Sequence, residues 1–594
     1  MSSDLRTNVV ASTRPSWSSE AASAARAERR EWAPGVILAV VGVMSVLVIV
    51  CLALVFWISF VHGAPDDPAK TYTLENYRTV IADERTYTVL WNTFGFSFAS
   101  LSVAFAFGVP AAWLVERTNI RGKAAIFTMM TVGLLIPTFV SAMGWLFLLH
   151  PRIGLVNVWI MDLFGLREGP INILSVPGMG WVEGLALAPL AFIMTAAVFK
   201  AMDPSLEEAA SMSGAGPSTT LRVVTLPLAW PGILAAGIYI FTIGFAAFDV
   251  PAVLGMANRV FTFSTYLYLL TRPEEALPRY GFAAALSAFI ALLACAMSWW
   301  YASMQKRARA YSVVSGKAYR PRIIDLGGRV WIAWTFLCLY FLLVSVLPII
   351  VVVWASLLPY FQLPSAMAFS QVSLRHYDAL NWGLVLRGFS NTAILMALTP
   401  TLTLAISLCF SWVVLRSRLR GRALFDLVAF LPHAVPNIVF GVGTLLLAVY
   451  VLQTFLPIYG TIWVLLFVFL IARVAYGTRM TNSGLIQIHP ELEESAALSG
   501  ATLWQTLRRI VLPLLTPTLI YAWLWIALLT YRELTLSVIL TTPRNMTLPL
   551  VVWTTFLGGG LAQSSALIVV MLGFMLPLMG LYWFVAGRRG LLSV

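Results

Sequence analysis

Charge is scarce in this sequence: Asp, Glu, Lys and Arg together make up 11% of its 594 residues, while 59% are hydrophobic. A soluble domain is about a quarter charged and about half apolar, so an ordinary soluble fold is excluded. Cysteine and histidine are equally sparse, at 4 and 5 residues. Cys51, Cys295, Cys338 and Cys409 fall singly in apolar runs, a spacing that fits neither a disulfide framework nor a zinc site and reads as packing. Motifs of catalysis are missing too. There is no G-x-x-x-x-G-K-[ST] phosphate loop, no H-E-x-x-H, no G-x-S-x-G and no Cys/His group of metal-ligand spacing. The chain is therefore not expected to hydrolyse ATP or to hold a cofactor of its own, and an intramembrane enzyme has little support. The net charge of +13 lies in short loops between apolar runs, where it serves topology and lipid headgroups and not nucleic acid.

What the sequence has instead is long apolar runs. Twelve are long enough to cross a hydrocarbon layer of about 30 Å: 34–60, 90–115, 124–149, 183–202, 231–254, 280–302, 330–357, 391–415, 424–451, 461–482, 517–540 and 565–586. The run 183–202 is interrupted by Pro189. Residues 1–33, rich in Ser, Ala, Arg and Glu, carry no signal peptide and cannot bury enough surface to fold alone; they read as a disordered cytoplasmic tail. Orientation follows from Lys and Arg in short loops. With the N-terminus inside, most of the 39 Lys and Arg fall on the inner side, in clusters such as Arg117, Arg121 and Lys123, Arg416, Arg418, Arg420 and Arg422, and Arg588 and Arg589.

Two stretches organise the rest. Asp203 to Pro231 reads DPSLEEAASMSGAGPSTTLRVVTLPLAWP, and His489 to Pro517 reads HPELEESAALSGATLWQTLRRIVLPLLTP, matching without a gap. Pro204 and Pro490 stand at helix-initiating positions, followed by Glu207 and Glu208, or Glu493 and Glu494, where the helix dipole favours negative charge. Gly214 and Gly500 supply the left-handed residue that ends a helix. Thr502 and Gln505 have capping-box spacing for a second helix, and Leu226-Pro227 and Leu512-Pro513 are expected to stop the segment. The plain alternative is a pair of capped helix-turn-helix connectors, which leaves two gapless copies unexplained. The repeat continues outside the loops: Asn92-Thr93 matches Asn391-Thr392, and RTNIRGK from Arg117 matches RSRLRGR from Arg416. Six spans per half follow. An even number makes the halves parallel about the membrane normal, joined by a basic linker from Met304 to Arg329.

The pattern E-A-A, three residues, G, nine residues, I-x-L-P resembles the signature loop of permease subunits of bacterial ABC importers. Glu494, Ala496, Gly500, Ile510, Leu512 and Pro513 keep it, with Ser495 in place of one Ala; Glu208, Ala209, Ala210, Gly214, Leu226 and Pro227 keep it with Val224 in place of Ile. The resemblance implies an all-α polytopic fold of about twelve transmembrane helices, arranged as two tandem six-helix permease repeats of the type I importer kind. It implies a first permease domain at 34–303, a linker at 304–329 and a second permease domain at 330–594. The two loops, including Glu207 and Glu493, would be coupling helices that dock on two copies of a cytoplasmic ATPase, which would hold ATP and magnesium. One periplasmic or extracellular binding protein would deliver substrate. The location implied is the bacterial inner membrane, with both termini cytoplasmic. FDVPAVLG, RELTLSVIL and LPHAVPNIVFGVG further resemble the ferric-iron group of these permeases; thiamine, aminoethylphosphonate and polyamine permeases share the architecture and stay open as alternatives. A secondary transporter or channel is the competing class and leaves the paired loops without a role.

Ionisable groups in a span cost several kcal/mol unless paired or wetted, and so mark function by default. Asp249 and Glu533 fall at nearly the same place in spans five and eleven, with Arg532 or Arg473 available to neutralise one of them. A shared pathway and a structural ion pair are both open. Pro432, His433, Pro436 and Asn437, in the run LPHAVPN, and Ile136-Pro137 in the matching span mark breaks whose freed carbonyls need protein or water. These residues are candidate pathway lining, with His433 able either to touch a solute or to bond a neighbouring helix.

Overall fold

The structure, a computed structural model, describes residues 32–63, 65, 67–202, 205–272, 278–310 and 323–588. The expected tail lies outside the described residues up to position 31, as do Asp203, Pro204 and linker residues 311–322. Helix dominates because a lipid core offers no water to backbone N–H and C=O groups, which must pair within the segment. Among the described residues the strands are one short antiparallel pair, Val61–His62 with Thr71–Tyr72.

Nine helices among the described residues are long and apolar enough to cross a membrane: Trp32–Ser59, Glu84–Arg117, Val176–Ala201, Leu221–Ala246, Tyr280–Met304, Gly327–Leu357, Trp382–Leu415, Ile462–Ile486 and Leu503–Tyr531. The third run of each half is not the kinked rod its sequence suggests. Lys123–Leu135 meets Thr138–Leu149 at 92°, and Arg422–Ala434 meets Asn437–Leu452 at 103°. The cause is local. Pro137 and Pro436 follow Ile136 and Val435, whose ψ angles of 127° and 138° are the extended values that a following proline enforces. The last apolar run forms Leu561–Arg588.

Two boundary expectations are corrected. Leu226-Pro227 and Leu512-Pro513 do not stop their segments. Each Pro sits in the first turn of a span, directly after a five-residue π-helical turn, Leu221–Thr225 or Leu507–Val511. The wider turn absorbs the proline, since the amides of Leu226 and Leu512 bond back to the carbonyls of Leu221 and Leu507. Consequently spans five and eleven begin earlier than 231 and 517 and end at Ala246 and Tyr531, well short of 254 and 540. The linker also begins later than expected, because the helix from Tyr280 runs on to Ala310.

The halves repeat the same elements in the same order. Val176 and Ile462, Pro217 and Leu503, Leu221 and Leu507, and Leu226 and Leu512 each open matching helices, separated by the same 286 positions that separate Asp249 from Thr535. Side-chain ties repeat as well. Thr93 accepts from the Phe263 amide at 2.8 Å, and Thr392 from the Leu548 amide at 2.9 Å. Asn92 donates to the Phe261 carbonyl at 3.1 Å, and Asn391 to that of Met546 at 2.9 Å. The Asn-Thr pairs of the sequence thus anchor the short helices Phe263–Thr271 and Leu548–Leu557.

The two halves interlock through their first spans. The first span of each packs on the other half: Trp32–Ser59 lies against Asn437–Leu446 and Trp382–Leu415, and Leu347–Leu357 lies against Thr138–Leu149. Glycine permits the approach, as is usual where helices associate without a hydrophobic driving force. A Cβ on Gly443 would stand 2.5 Å from the Cys51 carbonyl oxygen, and one on Gly144 would stand 2.6 Å from Pro348. Of the four cysteines only Cys51 is buried; Cys338 is exposed, so packing within the chain does not explain it.

Candidate functional site

Each signature loop is a short helix closed by glycine. In the first, Ser205–Met212 ends at Gly214 with φ +83°; in the second, Pro490–Leu498 ends at Gly500 with φ +80°. The Ala215 amide reaches the Ala210 carbonyl and the Ala501 amide that of Ala496, both at 3.0 Å, a Schellman closure that needs the left-handed residue between. Thr502 and Gln505 form the expected capping box.

Of the paired glutamates, one member points inward and one outward. Glu207 is buried and meets Arg117 at 3.2 Å, and its other oxygen accepts from the Thr225 hydroxyl at 2.7 Å. Glu493 meets Arg416 at 2.7 Å. The same arginines cap the adjoining span: Arg117 donates to the carbonyls of Phe199 and Met202, Arg416 to those of Leu485 and Ile488. The repeated Arg of RTNIRGK and RSRLRGR therefore fixes its loop to the bundle. Glu208, Ala209 and Glu494 are exposed, while Ala210 and Ala496 are half-buried. Each loop also presents two bare apolar side chains at matching positions, Leu206 and Met212 at 51% and 89% exposure, Leu492 and Leu498 at 48% and 90%.

Between the halves lies a cavity of about 760 Å³. Its walls toward the loop side are aromatic, with Tyr239, Tyr301, Phe430, Tyr476, Tyr521 and Trp525. His433 joins them, its ring stacked on Tyr239 at 5.3 Å between centroids. Deeper in, where the two third spans turn their corners, the lining becomes charged: Glu183, Asp249, Arg473, Arg532 and Glu533. Beyond this floor the corner helices close the way with uninterrupted burial from Phe139 to Leu149 and from Ile438 to Leu446.

The floor is tied across the halves. Asp249 accepts from Thr138 at 2.7 Å and from Thr535 at 3.1 Å. Since Thr535 is its own repeat counterpart, this contact marks the pseudo-twofold axis. Arg532 donates to the Leu134 carbonyl, and Arg272 donates to the carbonyls of Ile539 and Thr541 at 3.1 and 2.6 Å. Glu533 pairs with Arg473, and its second oxygen accepts from the Leu536 amide at 3.1 Å, capping Thr535–Leu540.

Of the residues singled out in sequence, Asp249, Glu533, Arg532, Pro432, His433, Pro436 and Asn437 all reach this one cavity. Asp249 and Glu533 stand just past the ends of their spans and not inside them, because the chain leaves helix at Ala247 and Arg532. Glu533 is ion-paired with Arg473, whereas Arg532 turns to the Leu134 carbonyl, and Glu533 also lines the cavity. Sequence reasoning missed Glu183, although an acidic residue in the span broken by Pro189 was a signal. Its carboxylate is 4% exposed, and its Oε2 has no hydrogen-bond partner. Among the described residues no three His, Cys, Asp or Glu are grouped to hold a metal ion.

Comparison with known proteins gives the following. Residues 104–310 match the family described as "Binding-protein-dependent transport system inner membrane component". The chain is 24% identical over 420 residues to the ferric transport system permease protein of Actinobacillus pleuropneumoniae, covering 70% of this chain and 58% of that one, so it spans somewhat over half of that relative's length. It is 25% identical over 454 residues to an Fe(3+)-transport system permease protein of Haemophilus influenzae, covering 76% and 80%. To the "Putative 2-aminoethylphosphonate transport system permease protein" of Salmonella paratyphi A it is 30% identical over 244 residues, covering 39% of this chain and 91% of the relative.

Proposed function

This chain belongs to the family of binding-protein-dependent transport system inner membrane components, and from that premise we propose that it forms the whole transmembrane pathway of an ATP-driven importer whose cargo is ferric iron. The observation that carries the reading is the pair of matching docking loops on one side of a single cavity between two repeats. An arm that bears two exposed apolar residues beside an exposed glutamate, and is held to the bundle by an arginine ion pair, is built to transmit force to a partner. Two such arms imply two copies of a cytoplasmic ATPase, which bind ATP and magnesium in place of this chain. One binding protein supplies substrate from the far side.

The loops then lie in the cytoplasm with both termini, in agreement with the distribution of Lys and Arg. The cavity extends from the charged floor toward the loops and is sealed on the far side, the arrangement of a transporter at rest facing the cytoplasm. Ferric iron is favoured by the ferric relatives, which align over both halves. A second cargo, an organic anion such as an aminoethylphosphonate, is supported by Arg532 on the floor, by the aromatic walls and by the phosphonate relative.

The test is reconstitution of the chain with its ATPase and binding protein in vesicles. Native mass spectrometry is expected to give one copy of this chain with two of the ATPase. Uptake of radioactive ferric iron, and not of aminoethylphosphonate, is the expected transport result. Two copies of this chain per working complex would overturn the architecture, and uptake of the phosphonate alone would overturn the cargo.

A further inference from the structure

The charges of the floor break the symmetry of the frame that holds them. At the repeat spacing of 286 positions, Glu183 corresponds to Phe469, Asp249 to Thr535, Arg473 to Leu187, Arg532 to Ala246 and Glu533 to Ala247. Each charged residue thus has an uncharged counterpart at the matching position of the other half. Packing alone does not ask for a carboxylate at position 183, since the matching place is filled by Phe469, itself 1% exposed.

Pairing then separates the floor residues. Glu533 is matched by Arg473. Both oxygens of Asp249 accept from threonine hydroxyls, and Arg532 lines the same cavity as Asp249 and Glu183. That leaves, among the described residues of the floor, one guanidinium and two carboxylates that form no salt bridge with one another, and Glu183 Oε2 without a hydrogen-bond partner in a side chain that is 4% exposed and lines the cavity. A buried carboxylate oxygen in that condition is costly unless a cation or a proton comes to it.

We propose that Glu183 is the carboxylate that receives the cargo cation in the cavity, sharing it with Asp249 as oxygen ligands. This rests on the reading that the cargo is ferric ion. The donor chemistry suits a hard cation, which takes carboxylate, hydroxyl and carbonyl oxygens; Thr138 and Thr535 stand on Asp249, and Pro137 lies beside Thr138 at the broken corner. Two carboxylates make a transit stop and not a resident metal centre, which is what turnover needs, because a tight site would trap the ion.

The assembled complex in vesicles, supplied with ferric-loaded binding protein, tests this. Glu183→Gln keeps the shape and removes the charge. It is expected to lower ferric uptake about tenfold, equivalent to one decade in affinity, while complex yield and melting temperature stay at wild-type levels. Glu183→Asp, which keeps a carboxylate, is expected to restore much of the uptake. Wild-type uptake by Glu183→Gln would overturn the inference and leave the ferric reading standing. Failure of Glu183→Gln to assemble would make Glu183 a structural residue and overturn it as well. A wild-type complex that takes up no ferric iron would overturn the cargo reading, and this inference with it.

Discussion

Replacing Arg117 by Met should do more damage than the same change at Arg416, although the two occupy equivalent places. Arg117 and Glu207 have side chains only 1% and 5% exposed, whereas Arg416 and Glu493 are 15% and 14% exposed. Removing one partner of a fully buried pair costs about 3–5 kcal/mol, because the other charge stays buried without its counter-charge. At Arg416 water reaches both partners and screens the loss, so about 1–2 kcal/mol is expected, between the buried and the exposed ranges. Removing both charges should reverse most of the first penalty. Arg117→Met with Glu207→Met loses the bonds to the Phe199 and Met202 carbonyls but leaves no lone charge, so a coupling of about 2–3 kcal/mol in favour of the double variant is expected. Melting of the detergent-solubilised complex ranks the variants, and substrate-stimulated ATP hydrolysis reports whether the loop still transmits. Arg117→Met should melt several degrees below Arg416→Met and hydrolyse ATP without transport, with melting largely regained in the double variant. Equal melting for the two single variants, or a double variant as unstable as Arg117→Met, would refute the argument that burial of the pair sets its weight.

Gly500→Ala should cost about 1–2 kcal/mol from the left-handed conformation alone, because nothing lies within 4 Å of the added methyl; Gly500→Pro should abolish ATPase assembly in a pull-down while membrane insertion persists, and retention of coupled uptake by the proline variant would count against a docking role. Gly443→Ala and Gly144→Ala place a Cβ at 2.5 and 2.6 Å from backbone of the other half's first span, whereas Gly42→Ala meets nothing within 4 Å. The first two should lower the melting temperature and the third leave it unchanged, and equal melting in all three would sink the crossed packing of the first spans. Asp249→Asn should impair uptake more than assembly, while Glu533→Gln, which strands Arg473, should impair assembly more than uptake; complex yield and uptake measured together separate them, and the reverse order would exchange their roles.

Much of this protein was legible in the order of its residues. Apolar runs determine spans because lipid leaves a backbone no other partner. Gly214 and Gly500 determine loop ends because a left-handed residue is needed there, and their φ angles of +83° and +80° bear this out. A gapless repeat determines two equivalent halves, since equal spacing makes equal helices. What the sequence left undecided depends on neighbours far along the chain. Proline at 137 and 436 announces a break, but the right-angle size of the corners and the packing of the opposite half's first span against each corner helix are visible only in the fold. The partner of Glu533 was open between two arginines and became Arg473, carried by Ile462–Ile486, while Arg532 turns to the Leu134 carbonyl of the other half. Glu183 drew no notice in a weak apolar run. Only the folded chain gives it a cavity between the halves, a second carboxylate on the same lining and an oxygen without a hydrogen-bond partner, because a charge acquires its energy from surroundings that its sequence neighbours do not supply.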